Sequence, residues 1–151
     1  MKPQANDFKI DRIVRECVGM RLRLLNRVVT KVYDDALRPL RLKTSQVNIM
    51  VAAWKMGLAS PQRVCEDLQM DPSTLSRNVE RMRGKGWLEV VPSDDGREQP
   101  FRLTTAGRRL LDKAVPRWEA AQEQVQVILG EGVIEPLCKA VKRVQQTRSA
   151  A

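Results

Sequence analysis

Serine, threonine and arginine side chains are concentrated in residues 71–85, which read DPSTLSRNVERMRGK. Hydroxyl and guanidinium groups donate hydrogen bonds to base edges and to phosphates, so this composition is typical of a helix that lies in a DNA groove. Asp71 suits the capping position, Pro72 suits the first helical position, and Gly86 marks the expected helix end. The side chains expected to reach base edges lie at the amino end of this helix: Ser73, Thr74, Ser76 and Arg77.

Two further basic residues, Arg81 and Lys85, lie farther along the same predicted helix. At that distance from the amino end they are expected to contact phosphate rather than bases. A solvated helix face is the alternative interpretation for both of them.

Residues 87–103 predict a two-stranded antiparallel ribbon directly after this helix. Apolar residues alternate in 87–91 and again in 99–103, and the residues between them, PSDDGRE, have turn chemistry. An aspartate two residues before an arginine can brace it, so Asp95 is expected to hold Arg97 pointing outward. Because a narrow minor groove has an enhanced negative potential, Arg97 is suited to enter one.

Two short helices precede this segment in the sequence. The first is expected over residues 45–56, with Thr44 as its cap. Its inward face is expected to be Val47, Met50, Val51 and Trp54. Ser60 and Pro61 open the second, and Ser60 with the neighbouring amides could hold a phosphate. Such a pair could be an ordinary α-hairpin, but the ribbon that follows favours a winged helix-turn-helix.

Long apolar helices flank this lobe on both sides. A helix is expected over residues 8–40, and its surface is apolar over so much of its circumference that it must be covered on two sides. Another helix begins at Thr104 or Thr105 and contains Pro116, and a terminal helix follows it. Because the small lobe cannot bury all of these stripes, we expect an obligate homodimer.

The predicted fold is a single domain over residues 1–151, mainly α-helical with a small β-wing. Helices in residues 8–40 and 105–148 serve dimerisation. A winged helix-turn-helix lobe in residues 44–104 carries the contacts to double-stranded DNA.

The net charge of +9 and the isoelectric point near 10.0 favour a polyanionic partner. The excess is not concentrated in the lobe, because residues 71–109 have eight basic and six acidic side chains and residues 8–43 have ten and four. Aromatic residues make up only 4% of the chain, too few for stacking on single-stranded nucleic acid.

The chain lacks the residues that several classes of functional site require. The chain has no histidine, and its three cysteines lie far apart, so neither a metal site nor a disulfide framework is indicated. No glycine-rich phosphate loop or nucleophile motif is present, so an enzyme is not expected and no cofactor is expected. The odd cysteine count and the absence of an apolar segment long enough to cross a membrane favour a reducing cytosol.

These motifs together resemble the MarR family of bacterial transcriptional regulators. The resemblance rests on Leu68, on DPSTLSR at 71–77, on ERMRGKG at 80–86, on the wing motif Asp95-Gly96-Arg97 and on LTTAG at 103–107. It extends over about residues 12 to 146. It implies a homodimeric regulator, in our interpretation a repressor, on a pseudo-palindromic operator with half-sites about one helical turn, roughly 10 bp, apart.

The resemblance also implies control by a small ligand, often phenolic or carboxylate, that lies between the lobe and the dimerisation helices. Arg21 interrupts an apolar row of the first helix, where it either pairs with a carboxylate of the protein or anchors an acidic ligand.

Two alternatives stay open. Cys17 is in the first helix, where an oxidant-sensing subgroup of the family has its cysteine, although Gly19 occupies the position expected for it. A buried cysteine is otherwise a small apolar side chain. The modest charge of residues 71–109 also allows a winged-helix dimerisation or adaptor protein that does not read DNA.

Overall fold

The computed structural model describes residues 5–93 and 99–149, and in those ranges it has seven α-helices and one two-stranded sheet. In chain order the elements are α1 (Ala5–Glu16), α2 (Val18–Leu37), a 3-10 turn (Arg38–Leu40), α3 (Thr44–Met56), α4 (Pro61–Leu68), α5 (Pro72–Gly84), β1 (Leu88–Val90), β2 (Phe101–Leu103), α6 (Thr105–Leu129) and α7 (Ile134–Ser149). The predicted fold class, mainly α with a small β-wing, is confirmed. Among the described helices, none has the length and apolarity needed to span a bilayer.

The core of the lobe lies where α3, α4 and α5 meet the wing. Its most fully buried large side chains are Ile49, Met50, Val64, Leu75, Met82, Leu88 and Phe101. Full burial of each such side chain stabilises the fold by roughly 1.5–3 kcal/mol. The predicted inward face of α3 is wrong at two positions, because Val51 is 44% exposed and Trp54 is 55% exposed. Helical spacing from Ile49 and Met50 turns Ala52 and Ala53 inward instead.

The wing is an antiparallel pair in which Leu88 faces Leu103 and Val90 faces Phe101. A third segment joins its edge, because the Ala59 amide donates to the Phe101 carbonyl (2.8 Å) and the Phe101 amide donates back (3.0 Å). Ala59, two residues before α4, is therefore bonded to β2. The segment that leads into α4 and the wing are joined at this point.

Thr104 caps α6, in agreement with the expectation that Thr104 or Thr105 does so. Its hydroxyl oxygen accepts from the Gly107 amide (3.0 Å), and its amide donates to the Trp87 carbonyl (3.1 Å). The α5 helix ends at Gly84, two residues before the predicted end, and Gly86 takes a φ of +72° to start the turn into β1. The end of α5, the wing and the start of α6 are thus bonded together at one point.

The helix predicted over residues 8–40 is wrong as a single element. Cys17 takes an extended backbone conformation (φ −65°, ψ 107°) and separates α1 from α2. Val18 and Gly19 follow it, and both have low helix propensity. The Cys17 carbonyl accepts from the Arg21 amide (3.4 Å) and also from the Arg21 guanidinium (3.3 Å). At the other end, the 3-10 turn around Pro39 replaces the last residues of the predicted helix.

Asp34 of α2 caps α3, and the prediction that Thr44 is the cap is wrong. Thr44 is the first residue of α3, and its amide and its hydroxyl both donate to Asp34 Oδ1 at 2.8 Å. Tyr33 beside it donates a hydrogen bond to Gln122 of α6. Adjacent residues of α2 therefore connect to the lobe and to the long helix α6.

The terminal helices carry apolar side chains that one chain leaves exposed. On α1 and α2 these include Ile10, Ile13, Val14, Val18, Leu22, Leu24, Leu25 and Val28. On α6 and α7 they include Val115, Trp118, Ile128, Leu137, Val141 and Val144. Exposed apolar side chains in continuous stripes, rather than singly, indicate surfaces that another molecule covers.

Candidate nucleic-acid interface

Asp71 builds the first turn of α5, as predicted for the residue before Pro72. Its Oδ1 atom accepts from the Ser73 amide (2.9 Å), the Thr74 amide (3.2 Å) and the Ser73 hydroxyl (2.5 Å). The hydrogen bond from the Ser73 side chain, followed by that from the Thr74 amide, holds the pKa of Asp71 below its ordinary value. Asp71 is therefore a carboxylate at neutral pH, and it fills the amide donors at this helix end.

The outward face of α5 is determined by the side chains that bury its opposite face. Leu75 and Met82 are almost fully buried, so the helical spacing turns Ser73 and Arg77 outward. Of the four residues predicted to read bases, Ser73, Ser76 and Arg77 are exposed. Thr74 is half-buried, and its carbonyl accepts from the Asn78 side-chain amide (2.9 Å).

Arg77 is folded back along the helix toward the amino end. Its Nε donates to the Ser73 carbonyl (3.2 Å) and its Nη2 donates to the Ser73 hydroxyl oxygen (3.4 Å). Since a guanidinium has five N–H donors, these two bonds leave the Nη1 donors and one Nη2 donor available. That remaining pair of nitrogens is the kind of fork that binds two acceptors of one guanine.

The basic residues farther along α5 have different surroundings. Arg81 is exposed and has no ion pair among the described residues. Arg83 is paired with Glu80 at 2.8 Å, so the two charges cancel on the flank of the helix. The Lys85 ammonium lies 4.4 Å from the centre of the Trp87 ring, a cation–π contact that ties it to the base of the wing.

Ser60 lies at the capping position of α4 with an extended backbone, as predicted, and Pro61 is the first helical residue. The turn between α4 and α5 begins at residue 69. It contains Gln69 with a positive φ of 51°, and the Met70 amide donates to the Cys65 carbonyl (3.0 Å). This short turn sets α5 at an angle to α4, which is what a helix-turn-helix requires.

The strands of the wing are braced across their exposed face. Arg102 of β2 donates to Glu89 of β1, with 2.6 Å between Nε and Oε1. Asp95 and Arg97, predicted as the wing contacts to the minor groove, lie outside the described residues.

Arg21 does not occupy the environment that the sequence predicted. It is exposed, its guanidinium bonds the Cys17 carbonyl, and no carboxylate pairs with it within the described part of the chain. The apolar row that it interrupts is itself exposed in one chain, which explains why no buried partner is needed. Cys17 is half-buried at the α1–α2 break.

A broad cleft lies between the lobe and the carboxyl-terminal helices. Its apolar lining includes Val51, Trp54, Val115, Trp118, Leu137, Val141 and Val144. Its charged lining is mixed, with three cations, Lys55, Arg63 and Arg108, and four carboxylates, Glu66, Asp67, Asp71 and Asp112. Arg21 is not among the lining residues.

The structure thus brings Ser73, Ser76, Arg77 and Arg81 onto the exposed surface of one helix. Sequence reasoning recognised Asp71 as a cap but missed its bond to the Ser73 hydroxyl. It also missed the two bonds between Arg77 and Ser73. The spacing of four residues between Ser73 and Arg77, one helical turn, was the signal that could have revealed them.

Comparison with known sequences gives related regulators. No protein-family model matches the chain. Among curated proteins, the multiple antibiotic resistance protein MarR of Escherichia coli K12 is 24% identical over 97 residues. That alignment covers 64% of this chain and 67% of the E. coli protein.

Two solved structures share the fold over most of their length. The M. tuberculosis transcriptional regulator MOSR, solved in complex with DNA, has a TM-score of 0.76 and 28% identity, and the match covers 89% of this chain and 98% of MOSR. CouR of Rhodococcus jostii RHA1, solved with bound p-coumaroyl-CoA, has a TM-score of 0.70 and 22% identity. That match covers 88% of this chain and 91% of CouR.

Proposed function

Because the chain is a winged-helix transcriptional regulator of the MarR family, and not an enzyme, we propose that it binds a pseudo-palindromic DNA operator as a homodimer. In this proposal it represses transcription in the bacterial cytoplasm until a small ligand releases it from the DNA. The observation that carries the proposal is the exposed face of α5, where Ser73, Ser76 and Arg77 present polar groups outward from a helix whose opposite face is buried in the core. A related regulator, MOSR, has been solved in complex with DNA.

The proposed DNA contacts fall into two groups, those to bases at the amino end of α5 and those to phosphates farther from it. Ser73, Thr74, Ser76 and Arg77 read base edges in the major groove, and Arg77 makes the bidentate contact. Arg81 and Ser60 contact phosphates and set the register of the lobe on the duplex.

Lys85 contacts phosphate only if it leaves the Trp87 ring, so its contribution is smaller than that of Arg81. Arg97, oriented by Asp95, enters the minor groove beside the α5 contact.

The homodimer is supported by the exposed apolar stripes of α1, α2, α6 and α7. A single chain leaves them in water, and burial of apolar surface is the main driving force for association. Two lobes related by a two-fold axis then meet half-sites about one helical turn, roughly 10 bp, apart.

The ligand proposal is supported by the cleft between the lobe and the carboxyl-terminal helices. Two tryptophans, Trp54 and Trp118, line it with other apolar side chains. A phenolic or other aromatic ligand matches this apolar part, and Lys55, Arg63 and Arg108 are the lining cations that could pair with a carboxylate on it, although four carboxylates also line the cleft. The related CouR was solved with bound p-coumaroyl-CoA. A ligand there releases DNA only if it binds the released geometry of the dimer more tightly than the DNA-bound one.

The test is selection of duplexes from a random pool, followed by a salt titration of the selected duplex. We expect an enriched palindrome. The Arg81 phosphate contacts of both protomers should give a log–log slope at least as steep as about −1.8, since each phosphate contact contributes about −0.9. A slope near zero would contradict DNA binding and favour the adaptor alternative.

Two arginine variants separate sequence reading from general charge. Arg77→Ala should lower affinity for the selected duplex by at least about 10-fold, because a bidentate base contact is lost in each half-site. Arg143→Ala removes the same charge from the exposed surface of α7 and should change that affinity by less than about 2-fold. Equal losses in both variants would contradict the role of α5.

A further inference from the structure

The Asp71 carboxylate contacts three donors of the first turn of α5 with one oxygen. Two of these donors, the Ser73 and Thr74 amides, are the groups that a phosphate would otherwise occupy at a helix amino end. A negative charge that fills this position repels phosphate from it. The amino end of α5 is therefore suited to contact the bases of DNA and not its phosphate backbone.

The third donor is the Ser73 hydroxyl, and its hydrogen bond to Asp71 fixes the direction of its O–H bond. Because the hydroxyl donates to Asp71 at 2.5 Å, its lone pairs face away from Asp71. One of them accepts from Arg77 Nη2 at 3.4 Å, while Arg77 Nε donates to the Ser73 carbonyl at 3.2 Å. Asp71, Ser73 and Arg77 thus form a continuous chain of hydrogen bonds along the outward face.

We propose that Asp71 is a positioning residue for sequence reading, which acts through Ser73 to hold the Arg77 guanidinium in one orientation. This inference rests on the proposed function of α5 as the DNA-reading helix. Arginine is a long side chain with many rotamers, and a contact made from a preset orientation loses less freedom on binding. Asp71 thereby raises the preference for the selected sequence, and its charge lowers affinity for all other DNA.

A cap without positioning is the simpler role for Asp71, and Asp71→Ser separates the two. Serine caps helices about as well as aspartate. Its single hydroxyl oxygen has two lone pairs, which the Ser73 and Thr74 amides occupy, so none is left for the Ser73 hydroxyl. The helix keeps its cap while the link to Arg77 is lost.

The experiment measures affinity for two probes: the duplex that the wild type selects and a random duplex of the same length. The ratio of the two affinities should fall by about 10-fold in Asp71→Ser, since part of a bidentate base contact is lost. Affinity for the random duplex should rise, because two acidic charges leave the dimer surface. The melting temperature should stay within about 2 °C of the wild type, because the cap is kept.

Asp67→Ser is the matched control. Asp67 is an exposed aspartate near the end of α4 whose nearest charged partner is Arg63, at 4.0 Å, and it has no bond to α5. Its removal should raise random-duplex affinity in the same direction but leave the ratio unchanged.

A double-mutant cycle then tests whether Asp71 acts through Arg77. In an Arg77→Ala background, Asp71→Ser should change the ratio by less than about 2-fold. Ser73→Ala keeps the Asp71 cap and removes the link together with any base contact of Ser73. The part of its loss that disappears in an Arg77→Ala background is the part that acts through Arg77, and it should match the loss in Asp71→Ser even if that variant is poorly folded.

The outcomes distinguish this inference from the function on which it rests. If the wild type enriches no sequence, the proposed function itself is contradicted. Suppose instead that the wild type enriches a palindrome. If Asp71→Ser then keeps the wild-type ratio of affinities, Asp71 is only a cap and the inference is overturned. The inference is also overturned if Asp71→Ser lowers that ratio by the same factor in the Arg77→Ala background as in the wild type.

Discussion

At the scale of single residues, Gly107 is the position where the wing and α6 approach most closely. A Cβ atom there would lie 2.0 Å from the Trp87 carbonyl oxygen and 3.0 Å from Leu103 Cδ2. Gly107→Ala should therefore push the wing away from α6, at a cost of about 2–3 kcal/mol for overpacking. Thermal unfolding should show a melting temperature lower by about 5–10 °C.

Gly84 provides the control for this substitution. It ends α5 with ordinary helical backbone, and a Cβ atom there would meet nothing within 4 Å. Gly84→Ala should leave the free energy of unfolding unchanged or raise it by up to about 1 kcal/mol. The melting temperature should therefore stay the same or rise slightly. Equal destabilisation by both variants would mean that the close approach at Gly107 is not rigid.

Cys65, which is not the cysteine of the redox alternative, has a thiol whose pKa is shifted. Burial, and then the negative charges of Asp71 and Glu66, raise the pKa of its thiol above the ordinary 9.0. Folding thus favours the protonated thiol, and the stability gained is present below pH 9.0 and lost as the pH rises through the raised pKa. Iodoacetamide at pH 8 should label exposed Cys138 faster than Cys65, by about 10-fold in peptide mass spectra. Faster labelling of Cys65 than of Cys138 would contradict the raised pKa of the Cys65 thiol.

At the scale of elements, Asp34 joins the terminal helices to the lobe. Its Oδ1 accepts both donors of Thr44, so it caps α3 from another helix. Asp34→Ala should lower stability by about 1–2 kcal/mol, and the melting temperature by about 3–6 °C. Trypsin should also cut faster at Arg41 and Lys43, because the connection that they form is released from α2.

The neighbouring Asp35 is the matched control for Asp34. It forms exposed ion pairs with Lys31 and Arg38 on the surface of α2. Such pairs contribute little, so Asp35→Ala should change stability by no more than about 0.5 kcal/mol. Protease sensitivity equal in the two variants would show that Asp34 does not hold the joint.

The sequence predicted the elements with strong local signals and missed the features that depend on distant contacts. Asp71, Pro72 and Thr104 mark helix starts by their own side chains, and those starts are confirmed. Periodicity could not show the break at Cys17, because α1 and α2 continue the same apolar pattern across it. It also could not show the cap from Asp34, which lies ten residues before its partner.

The candidate interface was predictable in composition but not in orientation. Helical spacing identified which residues share the face of α5. Whether Arg77 extends outward or folds onto Ser73 depends on competing hydrogen bonds within the turn, and only the structure resolves that choice. The same holds for Lys85, whose contact with Trp87 crosses from α5 to the wing.

At the scale of the whole molecule, excess positive charge and exposed apolar surface occur together in the amino-terminal helices. The segment at residues 8–43 carries ten basic and four acidic residues, and its helices also carry uncovered apolar stripes. A partner copy that covers these stripes brings two basic segments into one particle. Long-range attraction to DNA would then come from the dimer as a whole, while sequence preference comes from α5.

If the helices are stable only when a second copy covers their apolar stripes, the stability of the fold must depend on protein concentration. Each protomer leaves too much apolar surface on α1, α2, α6 and α7 to be stable alone, so unfolding should proceed from dimer to two unfolded chains. A 100-fold increase in concentration then adds about 2.7 kcal/mol, which raises the melting temperature by about 4 °C for roughly 300 ordered residues. Scanning calorimetry across that range measures the shift, with light scattering to give the mass at each concentration. A constant melting temperature together with the mass of one chain would contradict the dimer, and with it the two-lobed reading of a palindrome.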